Sequence, residues 1–133
     1  MARSLVTPSG MTIERQNLGK SGEDLAVREL ERRGYAILAR RYRTRYGEID
    51  IVAKDGETTV FVEVKARVTD EFGTAAEAVT PWKQRRLAHM ASDYVARNDL
   101  AFQPCRFDVV AIDWAGEPGE RITVYPNAFE SCV

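Results

Sequence analysis

Two alternating segments that meet at Asp55-Gly56 constrain this chain most. Residues 48–54 and 57–67 alternate apolar and polar side chains with period two, the pattern of strands with one buried face. Asp55-Gly56 between them is a strong two-residue hairpin signal. That turn pairs Lys54 with Glu57, which sets Asp50 opposite Phe61 and Glu48 opposite Glu63. One face of the hairpin then carries Ile49, Ile51, Ala53, Val60, Val62 and Val64. The other carries Glu48, Asp50, Glu63 and Lys65, with Val52 and Phe61.

The other elements assemble around this hairpin. A helix is expected from Gly22, capped by Ser21 with Asp24 reaching back, and stopped by Gly34. A strand over 35–45 turns at Tyr46-Gly47. After a loop containing Asp70 and Gly73, Thr80-Pro81 is an N-cap followed by proline at the first helical position. That second helix runs to about Arg97 and buries Leu87, Met90, Ala91, Tyr94 and Val95. Residues 106–114 form a strand, Glu117-Pro118-Gly119 a turn, and 121–125 a last short strand. The order α-β-β-β-α-β-β makes the third strand, second helix and fourth strand a crossover unit with parallel strands. A mixed α/β sheet with a helix on each side follows. At 133 residues one domain is expected, over 18–126, with a flexible tail at 1–17 and another at 127–133.

Composition removes several functions. Nineteen basic against twenty acidic residues, a net charge of -1, exclude a globally basic nucleic-acid coat. No run of about eighteen apolar residues is present, and the N-terminus lacks the apolar stretch of a signal peptide. The two cysteines, Cys105 and Cys132, are too few for the framework of a small secreted domain. A cytoplasmic location without a membrane partner is the expectation. Zinc-ligand spacings and phosphate-binding glycine loops are missing.

Glu48, Asp50 and Glu63 would crowd one spot of an otherwise Val- and Ile-rich hairpin, and like charges opposed across a ladder destabilise it. A hard divalent cation such as Mg²⁺ would offset the repulsion, and Lys65 could offset part of it. A solvated charge ladder is the competing reading. In the first helix, Glu23 lies on the side of Val27 and Leu30. It is either an inward acid of this site or a helix N-terminal acid favoured by the macrodipole. Asp108, in a strand beside that of Lys65, fits a structural ion pair with an arginine.

Asp50 followed twelve residues later by Glu63-Val64-Lys65 resembles the D…ExK signature of restriction-endonuclease-like nucleases. More narrowly, Gly47-Glu48-Ile49-Asp50-Ile51-Val52, Phe61-Val62-Glu63-Val64-Lys65, Ala78-Val79-Thr80-Pro81 and Arg106-Phe107-Asp108-Val109-Val110 resemble the YraN-like family, which is similar to archaeal Holliday-junction resolvases. The resemblance covers residues 22–125 and implies a restriction-endonuclease-like αβββαβ core. It also implies that Asp50 and Glu63 hold Mg²⁺ (with Mn²⁺ as substitute), with the Val64 carbonyl a further ligand and Glu48 behind it. Lys65 would orient water or stabilise charge on the phosphate. Glu23 would be the helix acid of a DNA endonuclease acting on branched or single-stranded substrates. The alternative is a catalytically silent nucleic-acid-binding or interaction module. By analogy with resolvases, which cut two strands, a homodimer is expected.

Charge is uneven along the chain. Residues 28–45 carry seven arginines against two glutamates, a net of +5, and residues 99–133 two arginines against six acids, a net of -4. Arg41, Arg43 and Arg45 are expected on one face of the first strand, with Tyr42 and Tyr46 on the other, as a nucleic-acid contact. A solvated edge strand protected by charge is the other reading. Lys83, Arg85 and Arg86 could add phosphate contacts at the second helix, and Gln84 a base or sugar contact. Trp82 is expected to pack, and His89 to be a surface residue without a catalytic role.

Overall fold

In the computed structural model the chain is described over residues 11–67, 79–114 and 119–129, with backbone alone at 11–21 and 67. Its elements are α1 (Met11–Arg32), β1 (Ala36–Thr44), β2 (Gly47–Asp55), β3 (Thr58–Arg67), α2 (Pro81–Arg97), β4 (Cys105–Asp113) and β5 (Arg121–Phe129). The five strands form one sheet in chain order. β3 and β4 are parallel, and every other neighbouring pair is antiparallel. The mixed α/β architecture expected from the sequence is therefore present.

Period two splits the core between the two faces. Ile51, Ala53, Val60, Val62, Val110 and Ile112 pack with Ala26 and Leu30 of α1. Val52, Phe61, Phe107, Val109 and Ala111 pack with Leu87, Met90, Ala91 and Tyr94 of α2. The Phe61 ring meets Tyr94 and Phe107 at centroid distances of 5.7 and 5.6 Å. Burying such aromatic surface supplies much of the stabilisation, at about 25 cal/mol per Å².

α2 starts as expected. The Thr80 hydroxyl accepts from the Lys83 N–H at 3.2 Å, and Pro81 needs no partner for an N–H it lacks. α1 departs from expectation. It begins at Met11, so Ser21 is not its cap and the presumed tail is helical from Met11 on. Ser21-Gly22 are weak breakers, and good helix formers on both sides carry the helix through them.

β5 also runs past Tyr125, where a frayed end was expected. Phe129 stacks on Phe107 at 4.8 Å, and the Asn127 N–H donates to Asp108 Oδ1 at 2.9 Å. These contacts hold the extra residues. Cys105 is disulfide-bonded. The expected loop at 68–78, the first part of the Glu117-Pro118-Gly119 turn, Cys132 and the chain ends beyond 11 and 129 lie outside the described residues. Among the described residues no helix is long and apolar enough to cross a membrane.

The hairpin register is corrected by two residues. Asp55 pairs with Thr58 and Ile51 with Val62, so the turn is Gly56-Glu57. Gly56 opens it with φ +61, the position glycine takes in a type II′ turn. A shift of two by itself leaves the side chains of the paired residues, 51–55 and 58–62, on their expected faces. It changes the partners: continued by one residue, the register brings Asp50 opposite Glu63.

Candidate functional site

Asp50 sits where the sheet is interrupted on both sides. The β2–β3 pairing ends at Ile51↔Val62. On the other side the β1–β2 pairing skips from Arg40↔Ile51 to Tyr42↔Ile49. Between those pairs Arg41 takes φ +53, an uncommon conformation for a side chain without a short polar group to stabilise it. Such strain persists where surroundings over-determine it, often at functional sites.

Two expectations fail at this break. Ile49 leaves the face of Ile51 and joins the α2 core. Adjacent Arg40 and Arg41 also reach one target, which regular alternation forbids. Arg40 Nη2 lies 2.8 Å from Glu23 Oε1, and Arg41 Nε 3.2 Å from Glu23 Oε2. Arg41, Arg43 and Arg45 are therefore not one free basic strip. Arg43 is paired with Glu48 at 2.7 Å, and Arg45 donates to the Tyr46 hydroxyl at 3.0 Å.

Asp50 itself accepts one hydrogen bond, from the Val64 N–H to Oδ2 at 2.8 Å. Among the described residues no buried side-chain oxygen lacks a partner, so its other oxygen opens to solvent. Burial pushes the Asp50 carboxyl up to about 7, the nearby Glu63 charge adds to this, and Glu23 adds less. The Val64 N–H and Lys83 oppose it. Glu23, Asp50 and Glu63 thus share one electrostatic environment, built from α1, β2 and β3.

Glu63 is mostly buried, and its Oε2 is 2.8 Å from Lys83 Nζ. Lys83, expected as a phosphate contact, is thus the counter-ion of Glu63. A lysine in the first turn of a helix works against the macrodipole. That was the available sign that it answers an acid elsewhere. Lys65 is half-buried and takes no hydrogen bond or ion pair among the described residues. Glu48 is turned to Arg43 rather than to Asp50.

Glu23 lies in the interior of α1, so its macrodipole reading falls away. Gln84 donates to the Val79 carbonyl at 3.0 Å. Arg85 is exposed. Arg86 Nε donates to the Tyr46 carbonyl at 2.8 Å. Trp82, expected to pack, is 61% exposed.

Among the described residues no three Asp, Glu, His or Cys side chains converge to cage a metal. The donor set that does come together is the two carboxylates of Asp50 and Glu63. Such a set suits Mg²⁺, which keeps several waters and uses one or two carboxylates plus substrate phosphate. It does not suit Zn²⁺ in a closed site.

A model of the uncharacterised protein family UPF0102 matches residues 22–112. The chain belongs to that family. The match takes in all of this site and corresponds to the YraN-like resemblance of the sequence. A UPF0102 protein of Geobacter metallireducens is 46% identical over 90% of this chain and 98% of its own length. One from Symbiobacterium thermophilum is 47% identical over 87% and 98%, and one from Ralstonia pickettii 52% identical over 84% and 88%.

Proposed function

We propose that this UPF0102 chain is a metal-dependent endonuclease hydrolysing DNA phosphodiester bonds on a restriction-endonuclease-like αβββαβ core. The supporting observation is Asp50, placed at a break in the sheet with one hydrogen bond, a solvent-open oxygen and Glu63 beside it. Two partly buried carboxylates that share the single cation Lys83 among the described residues are left with one charge unmatched, which is unfavourable. A carboxyl raised in this way beside other acids marks a functional site.

Asp50 and Glu63 would hold Mg²⁺, or Mn²⁺ in its place, with the Val64 carbonyl as third ligand. The cation supplies Lewis-acid polarisation of the phosphodiester and a more acidic water. Lys65, with no acid partner among the described residues, would stabilise charge developing on the phosphate, since an ammonium donates and cannot ligate. Glu23 keeps Arg40 and Arg41 beside the site. Glu63 must exchange Lys83 for the metal, which frees that lysine for substrate phosphate.

A second reading has its own support. Glu63 and Glu23 are already paired with lysine and arginine, as a binding module without turnover would have them. Cleavage assays on single-stranded, flap, four-way and duplex DNA, with Mg²⁺ and with EDTA, separate the two. The nuclease reading expects Mg²⁺-dependent products that fall about 10²-fold or more in Lys65→Ala. Products that persist in EDTA, or no products from any substrate, contradict it.

A further inference from the structure

Where β1 turns into β2, the start of α2 lies against the turn, and aromatic rings and arginines collect there. Trp82, Arg86 and His89 recur at helical spacing on one side of α2. The Arg86 guanidinium covers the Trp82 ring at 5.4 Å and is anchored by its hydrogen bond to the Tyr46 carbonyl. Gly47 makes room for it: a Cβ there would fall 2.5 Å from Arg86 Nη2. Tyr46 stacks on His89, with centroids 5.1 Å apart and planes 25° apart. Arg45 lies over the Tyr46 ring at 5.1 Å.

Packing does not explain this group. Trp82 is 61% and Tyr46 39% exposed, in a protein whose other large rings mostly fill the core. Nor does internal charge pairing. Arg45, Arg85 and Arg86 form no ion pair among the described residues. Nearby Asp93 is committed to Tyr42 and Arg97. The result is a positively charged surface of exposed rings held by stacking and by the Arg86 hydrogen bond. Flat rings with cations between them suit bases and phosphates of a single strand. A duplex keeps its bases stacked inside and offers such rings nothing.

The surface is also tied to the acids. Lys83, next to Trp82, is the partner of Glu63, and Tyr46 precedes Asp50 by four residues, about 13 Å of extended chain. A few linked nucleotides cover that span.

We infer that Trp82, Arg86, Tyr46 and His89 form a stacking platform for unpaired bases of single-stranded DNA whose backbone runs on toward Asp50 and Glu63. This rests on the hydrolase reading above and names the form of its substrate. The platform binds; it takes no part in bond breaking.

The test is fluorescence anisotropy of the full chain with a short labelled oligothymidylate and with a matched duplex, both in EDTA so that no metal-dependent step enters. Trp82→Ala should weaken single-strand binding about tenfold and leave duplex binding within about twofold. Trp82→Phe should recover most of the loss. Thermal melting should be unchanged in both, because the side chain is largely outside the core. The platform is overturned if the parent does not bind the single strand, if the Ala variant binds it as the parent does, or if both nucleic acids lose equally. Loss of single-strand binding in Trp82→Ala supports the platform even where the parent shows no Mg²⁺-dependent cleavage, which would refute the hydrolase alone. Mg²⁺-dependent cleavage with unaltered binding would refute the platform alone.

Discussion

Two aspartates of this sheet, on strands that flank β3, live in opposite circumstances. Asp108 on β4 is shut off from solvent and fully answered. It accepts from the Tyr35 hydroxyl at 3.0 Å, from Arg106 Nε and Nη2 at 3.0 and 3.2 Å, and from the Asn127 N–H at 2.9 Å. Arg106 reaches on to Asp55 at 2.9 Å, so the network ties the connection before β1, the hairpin, β4 and β5 together. Asp50 on β2 has one N–H and a second acid in front of it. A buried charge with every lone pair matched is a structural joint. A carboxyl left short of partners is, on the proposed reading, the one that takes a ligand from outside.

The sharpest way to break this contrast is to remove the matched aspartate. Asp108→Ala leaves the Arg106 guanidinium without its main partner and should cost about 3–5 kcal/mol, read by urea denaturation. A cost below about 1 kcal/mol would make Asp108 no more structural than a surface acid.

Removing the unmatched aspartate should do the reverse. The Asp50 carboxyl is raised to about 7 from an ordinary 3.8, so the unfolded chain gives up this proton first. The cost of ionising it when folded grows as pH rises from about 4 to about 7 and stays in place above that. Asp50→Asn keeps an acceptor for the Val64 N–H and carries no charge. It should therefore be more stable than the parent by about 2–4 kcal/mol at pH about 8, with the gain gone near pH 4. An Asn variant less stable than the parent at the higher pH would erase the difference between the two aspartates.

Much of this contrast was legible in the chain. Alternation over 48–54 and 57–67 set the hairpin faces, and Thr80-Pro81 marked α2. Asp108 could be read as a structural ion pair because a charged residue in a Val- and Phe-rich strand needs a partner. The turn was misplaced by one residue, which moves the pairing register by two, because Gly56 opens it rather than closing it. The faces survived except at Ile49, since two is the side-chain period, and the register continued by one residue sets Asp50 rather than Glu48 opposite Glu63.

What could not be read depends on distant parts of the chain. The φ of Arg41, which sends two consecutive arginines to Glu23, reflects contacts between α1 and β1 that no local pattern encodes. The pairing of Lys83 with Glu63 brings α2 onto β3 across a long connection. Trp82 looked like a packing residue because composition alone cannot tell an aromatic in the core from one set beside an arginine at a turn.

Calorimetric titration of Mn²⁺ into the parent and Asp50→Asn tests the central claim most directly. The parent should bind with an affinity that rises with pH up to about 7, where the Asp50 proton stops competing, and then levels. Asp50→Asn, folded and stable, should show little or no binding heat. Equal Mn²⁺ affinity in the two proteins, or no binding by the parent at pH about 8, would contradict the assignment of Asp50 and Glu63 as a metal site.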